Sequence, residues 1–147
     1  MADKVKFELV SPEKILFSED VDMVVVPGTE GYFGVLPGHA PLISTVSPGT
    51  IDIYQGSTVT KRLFVAGGFA EVTTERCTVL ADEAMPVSEL SRDFAEAELL
   101  DINRELPALQ AASLHGEAGD VAKLKAAERR QAVAQAKIDA LSGAATH

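Results

Sequence analysis

Tryptophan is absent from this sequence, cysteine occurs once, at Cys77, and aromatic residues make up only 5%. A lone cysteine rules out an internal disulfide and is consistent with a reducing compartment. Basic charge is also scarce: 13 Lys and Arg stand against 22 Asp and Glu, a formal net charge of -9. An acidic surface repels nucleic acid and anionic lipid, so neither is expected as a partner, whereas a neutral or basic protein surface is. No apolar run approaches the roughly 18 residues that span a bilayer, and the opening MADKVKFELV lacks a signal-peptide core. The chain is therefore expected to stay in the cytoplasm, without direct membrane insertion.

The signatures of chemistry are missing as well. There is no G-x-S-x-G nucleophile elbow and no G-x-x-x-x-G-K-[ST] phosphate loop. Gly28, Gly31, Gly34 and Gly38 have the wrong spacing for a dinucleotide fingerprint, and no βαβ unit follows them. His39, His115 and His147 lie too far apart for a zinc site, so no metal is expected. Cys77, in the strand-like run Arg76 to Leu80, reads as a small core hydrophobe. No two carboxylates stand out as an acid and base pair.

What is present is a foldable chain of 147 residues, 46% hydrophobic and 24% charged, with two distinct periodicities. Up to about residue 86 apolar residues mostly alternate. Val5, Phe7 and Leu9 share one phase, and Val21, Met23 and Val25 continue it. Further runs at Ile51 to Tyr54, Thr58 to Ala66 and Arg76 to Ala81 are bounded by turn residues such as Pro48-Gly49, Gln55-Gly56-Ser57 and Gly67-Gly68. Many short strands with no long helix between them predict an antiparallel sandwich or barrel. The glycine pair at 67 and 68 fits either a tight bend or the close approach of a partner.

From Ser88 onward the chain is rich in Ala, Glu, Leu, Lys and Arg at helical spacing, with Ser88 as the expected N-cap. Ala95, Leu99, Ile102 and Leu106 form one narrow seam, and Pro107 is expected to end or kink that helix. His115 to Asp120 reads as a loop, with Asp120 capping a second helix whose seam is Leu124, Ala127, Gln131, Ala134, Ile138 and Leu141. Matching seams predict an antiparallel hairpin. An Ala in place of a Leu forgoes roughly 2 kcal/mol of burial, so the hairpin is weakly held. The domains are set at residues 1–86 and 87–147. The first carries 12 acidic and 6 basic side chains and residues 88–147 carry 10 and 7, so the helices are not a basic arm.

The stretch GYFGVLPGHAP, Gly31 to Pro41, combines angle-fixing prolines with permissive glycines and predicts a stiff, shaped loop that leaves His39 accessible. With Glu30-Gly31, Phe33 to Leu42, Pro48-Gly49, Gly67 to Val72 and Val79 to Asp82 occurring in order, residues 5 to 86 resemble the epsilon subunit of bacterial F-type ATP synthases, the counterpart of mitochondrial delta.

That resemblance implies a flattened sandwich of about ten strands followed by a two-helix hairpin. It also implies a non-catalytic subunit of the central stalk, peripheral on the cytoplasmic side of the bacterial plasma membrane, with no cofactor of its own. Its partners would be the gamma subunit and the c ring, coupling proton-driven rotation to ATP synthesis, with alpha and beta within reach of the hairpin. The implied c-ring interface is Glu30, Gly31, Tyr32, Phe33, His39 and Ala40, and the implied gamma interface is Pro41, Leu42, Gly67 and Gly68. ATP-binding relatives carry [IL]-D-x-x-R-A at the first helix. Here Leu90-Ser91-Arg92-Asp93-Phe94-Ala95 lacks the aspartate and the arginine, so tight ATP binding is not expected. Arg129 and Arg130 stand as contacts for an anion or nucleotide, or as ordinary exposed helix charge. The competing class is a stand-alone sandwich that binds a small ligand or peptide.

Overall fold

The computed structural model describes residues 3–143. The chain divides between Glu89 and Leu90 into a sheet unit and a helical unit.

The sheet unit is a sandwich made from one curled, ten-stranded sheet. Its strands are β1 (Val5–Val10), β2 (Ile15–Val21), β3 (Met23–Gly28), β4 (Gly31–Val35), β5 (Leu42–Val46), β6 (Gly49–Gln55), β7 (Thr58–Val65), β8 (Gly68–Val72), β9 (Arg76–Ala81) and β10 (Ala84–Pro86). Their order in the sheet is β10-β7-β6-β3-β5-β8-β9-β1-β2, with β4 paired to β3. All pairs are antiparallel except β1 with β9, which run parallel from Lys6↔Arg76 to Val10↔Leu80. No tight turn links those two strands, so nothing forces them to reverse direction.

The alternation of β1 holds: Val5, Phe7 and Leu9 are buried in one core with Val21, Val24, Val26, Val35, Ile51, Ile53, Val72, Cys77 and Val79. The expected phase through Met23 and Val25 fails. The chain bends at Asp22, β3 begins afresh, and Val24 and Val26 enter the core instead. Asp22 holds that bend, because its carboxylate accepts from the Gly56 backbone N–H and pairs with Lys4 at 3.2 Å. The Gly56 hydrogen bond first, and Lys4 second, keep its carboxyl below the ordinary 3.8. On β6 and β7, Asp52 and Arg62 face each other at 3.3 Å, with Asp52 buried.

Part of the predicted loop is strand. Gly31 to Val35 pairs with β3 from Gly28↔Gly31 to Val24↔Val35, leaving only Leu36 to Pro41 irregular. Glycines there read as breakers but lie inside a ladder. At Gly68 the bend reading applies: φ is +143°, and a Cβ would run into the Leu80 carbonyl oxygen of β9.

In the helical unit, α1 (Arg92–His115) and α2 (Ala118–Leu141) form the expected hairpin. Ile102, Leu106 and Ala127 are its buried cluster, with Leu109 and Leu124 packed against it. Across it Gln131 bonds Asn103 at 2.8 Å, and Arg92 bonds Ser142 at 2.9 Å. Three local expectations are corrected. Ser91, not Ser88, caps α1, accepting from Phe94 N–H at 3.2 Å, while Ser88 lies in a 3-10 turn, Val87–Glu89. Pro107 does not end α1, which runs eight residues further to His115; packing of the seam outweighs one lost hydrogen bond. Asp120 lies in the first turn of α2, whose N-cap is Glu117 without a side-chain cap bond.

Replacing Gly68 by Ala adds a methyl group against backbone in a conformation that L residues avoid. The expected cost is more than about 2 kcal/mol, read as a lowered urea midpoint with an unchanged slope.

Candidate functional site

The hairpin of β3 and β4 ends in Thr29-Glu30, both exposed. Gly31 follows with φ +123°, a backbone that reverses the chain so that Gly28 and Gly31 can pair. Glu30 thus stands at the tip, with no ion partner among the described residues. Tyr32 is part-exposed opposite Pro27, and Phe33 turns inward against the core.

Beside this tip lies a cleft of about 460 Å³, lined by Gly28 to Phe33 and by Leu42 to Thr45 of β5. It brings Glu30, Gly31, Tyr32, Phe33 and Leu42 together. His39, Ala40 and Pro41 do not line it. His39 is half-buried, its Nδ1 lies 2.7 Å from the Ala40 carbonyl, and its N–H donates to Leu36 at 3.1 Å. One residue earlier, the Gly38 N–H donates to the Thr74 carbonyl at 2.9 Å, which stitches the loop to the turn between β8 and β9. Gly67 forms the bend before β8 and Gly68 begins that strand, and neither lines the cleft.

Sequence reasoning missed an apolar patch. Ile43, Phe69 and Leu80 are exposed by 74%, 58% and 54%, although side chains of this kind are normally covered when clustered. Strand register sets Phe69 opposite both Thr45 and Leu80, and Ile43 opposite Glu71 and diagonal to Phe69, on the face away from the core, so one carboxylate borders the patch. The signal was legible in Gly68-Phe69-Ala70-Glu71-Val72. Ala70 and Val72 point inward, so Phe69 is a large apolar group in the outward phase.

Arg129 and Arg130 lie on the exposed face of α2. Arg130 pairs with Glu105 of α1 at 3.0 Å, and Arg129 has no ion partner among the described residues. Among the described residues no group of three His, Cys, Asp or Glu is placed to hold a metal ion. Cys77 is buried opposite Phe7, and burial pushes its thiol up to about 12. What this geometry offers is surface: an acidic tip, a cleft and an apolar patch.

Comparison with known proteins agrees on one family. Residues 4–87 match the model described as ATP synthase, Delta/Epsilon chain, beta-sandwich domain. The chain is 50% identical over 143 residues to the ATP synthase epsilon chain of Rhodospirillum rubrum, covering 97% of this chain and 100% of that one. It is equally similar, 50% over 144 residues, to that of Rhodospirillum centenum, covering 97% and 94%. The epsilon chain of Paramagnetospirillum magneticum is 64% identical over 97 residues, 66% of this chain and 73% of its own. Among solved structures, a chain of the Euglena gracilis mitochondrial ATP synthase OSCP/F1/c-ring superposes with a TM-score of 0.68 at 19% identity, covering 98% of this chain and 82% of that one. A chain of the Tetrahymena thermophila mitochondrial ATP synthase central stalk/c-ring gives 0.57 at 15% identity, covering 99% and 98%. These two likenesses concern the fold.

The buried thiol carries a prediction of its own. Below its ordinary value of 9.0 both folded and unfolded chains keep the proton; between 9.0 and about 12 only the folded chain does. Unfolding then releases a proton, so stability present below pH 9 falls as pH rises toward 12. The urea midpoint of the wild type is expected to drop more steeply than that of Cys77→Ala between pH 9 and 11.

Proposed function

The chain belongs to the ATP synthase delta/epsilon chain family, and on that premise we propose that it is a non-catalytic rotor subunit joining the gamma subunit to the c ring. The observation that carries the reading is the pair of distinct surfaces on one rigid sheet unit. Glu30 is an unpaired carboxylate at a hairpin tip, suited to a basic or polar loop of the ring. Tyr32 beside it and His39 and Ala40 in the stitched loop extend that foot. Ile43, Phe69 and Leu80 form a clustered apolar face suited to the permanent, water-excluding contact that gamma requires. Pro41 and Leu42 lead into Ile43, and the bend at Gly67 sets the start of β8, which carries Phe69.

The absence of a catalytic constellation from the sequence agrees with chemistry performed by other subunits of the complex. No helix among the described residues is long and apolar enough to cross a membrane, and the proposed position is peripheral, on the cytoplasmic side that the family resemblance implies.

The hairpin supplies regulation. Its seam includes three buried alanines, Ala127, Ala134 and Ala140, each with little apolar area, and its paired helices are held as well by polar bonds at their flanks. A weak apolar seam makes rearrangement cheap, and Lys123, Lys125, Arg129, Arg130 and Lys137 give α2 the cations to meet acidic surfaces of alpha and beta.

Two outcomes test the surfaces. Glu30→Lys is expected to weaken attachment to c rings at least tenfold while leaving binding to gamma unchanged, measured with purified full-length protein. Ile43→Asp reverses that selectivity by placing a charge in the apolar face. For regulation, ATP hydrolysis by an alpha-beta-gamma assembly is measured with full-length protein or a truncation ending at Met85. Suppression by the full-length chain alone is expected; suppression by neither removes the regulatory role while leaving the rotor role standing.

A further inference from the structure

A β-sheet must end somewhere, and an exposed edge strand offers unpaired N–H and C=O groups to any passing chain. Three edges here differ in how they are defended. At one end of the strand order, β2 carries Glu19 and Asp20; at the other, β10 ends in Pro86. Charge and proline are the usual protections. The third edge lies where β5 meets β3, because their ladder is a single pair, Gly28↔Val46.

Beyond that pair β3 turns away at Glu30, and β5 continues without a strand beside Leu42, Ile43 and Ser44 on that side, among the described residues. Strand geometry fixes which backbone groups are open. The Thr45 carbonyl accepts from the Thr29 N–H at 3.2 Å on the β3 side, so Ile43, two residues away, points its N–H and C=O to the same side. Leu42 and Ser44 direct theirs to β8. Nothing charged and no proline lies within Leu42-Ile43-Ser44-Thr45-Val46. The same holds for β4, Gly31-Tyr32-Phe33-Gly34-Val35, whose ladder is with β3 alone. Both undefended segments line the one cleft of about 460 Å³.

We propose that this cleft receives an extended segment of the gamma subunit, which adds to the sheet as a short strand against β5 through the backbone of Ile43. The proposal rests on the reading of the chain as a gamma-binding stalk subunit and names the mode of that binding. Gamma is the occupant rather than the ring because the open edge is continuous with the apolar patch: Ile43 contributes its backbone to the cleft and its side chain, 74% exposed, to the patch. A strand entering there lies directly beside β5 and sets its outward side chains against Ile43, with Phe69 one strand further on, in β8.

The test compares full-length wild type, Ile43→Ala and Ile43→Pro in binding to the matching alpha-beta-gamma assembly and, separately, to isolated c rings. Alanine and proline both remove the isoleucine side chain, but only proline removes the N–H, at an edge position where proline is otherwise tolerated. Ile43→Pro is expected to bind gamma about tenfold more weakly than Ile43→Ala. Amide exchange of the wild type supplies an independent readout that needs no variant: Ile43 N–H exchanges rapidly in the free chain and becomes protected in the complex with gamma. Equal binding by the two variants together with an unprotected Ile43 amide overturns strand addition while leaving gamma binding intact. Protection by c rings instead of gamma overturns the choice of occupant. Failure of the wild type to bind gamma overturns the reading beneath.

Discussion

One-sided burial is the constraint on which the sheet unit depends. Each strand must give one face to a core of valines, isoleucines, leucines and Phe7, and the pleat sends every other side chain outward. The inward positions are thereby committed to packing, while the outward positions remain free to carry charge, polarity or a partner's surface. Phe69 and Leu80 are outward in that sense, and their neighbours Ala70, Val79 and Ala81 are inward. Function in such a chain resides in the phase that the core does not use.

That division also explains how much was legible in the sequence. Val5, Phe7 and Leu9 were read correctly because a single unbroken strand keeps its phase. Val21, before the bend, was read correctly too; Met23 and Val25 were not placed in that core, because alternation carried across Asp22 assumes a straight chain, and the bend there is made by a hydrogen bond from Gly56, 34 residues away. The seam of α1 was visible in its spacing, but its passage through Pro107 was not, since that depends on what α2 offers across from it. Ser88 and Ser91 are equally good caps in composition; only the path of the backbone decides between them. At the candidate site the motif from Glu30 to Pro41 located the tip. The cleft and the apolar patch escaped notice, because the cleft opens where β5 parts from β3 and the patch depends on the pairing of β5 with the distant β8, neither of which a local pattern fixes.

The proposed rotor role asks for connection more than chemistry. Here the connections are backbone ones: the β3 and β4 ladder behind Glu30 and the bond from Gly38 to Thr74 behind His39. Neither relies on side chains that swing. A load applied to the tip therefore passes into strands, and charge at the tip is left to choose the partner.

The parallel pairing of β1 with β9 has a consequence for the birth of the chain. From Val10 to Arg76 the ribosome must add 66 residues before β9 begins to appear, which takes about 3–13 seconds at common synthesis rates. During that interval Val5, Phe7 and Leu9 have β2 beside them and no β9. The first strand made is among the last to gain its full complement of neighbours, so the nascent chain spends seconds with its most apolar opening segment incompletely covered. Crowded polysomes, rather than the finished complex, are where this fold is most exposed to misassociation.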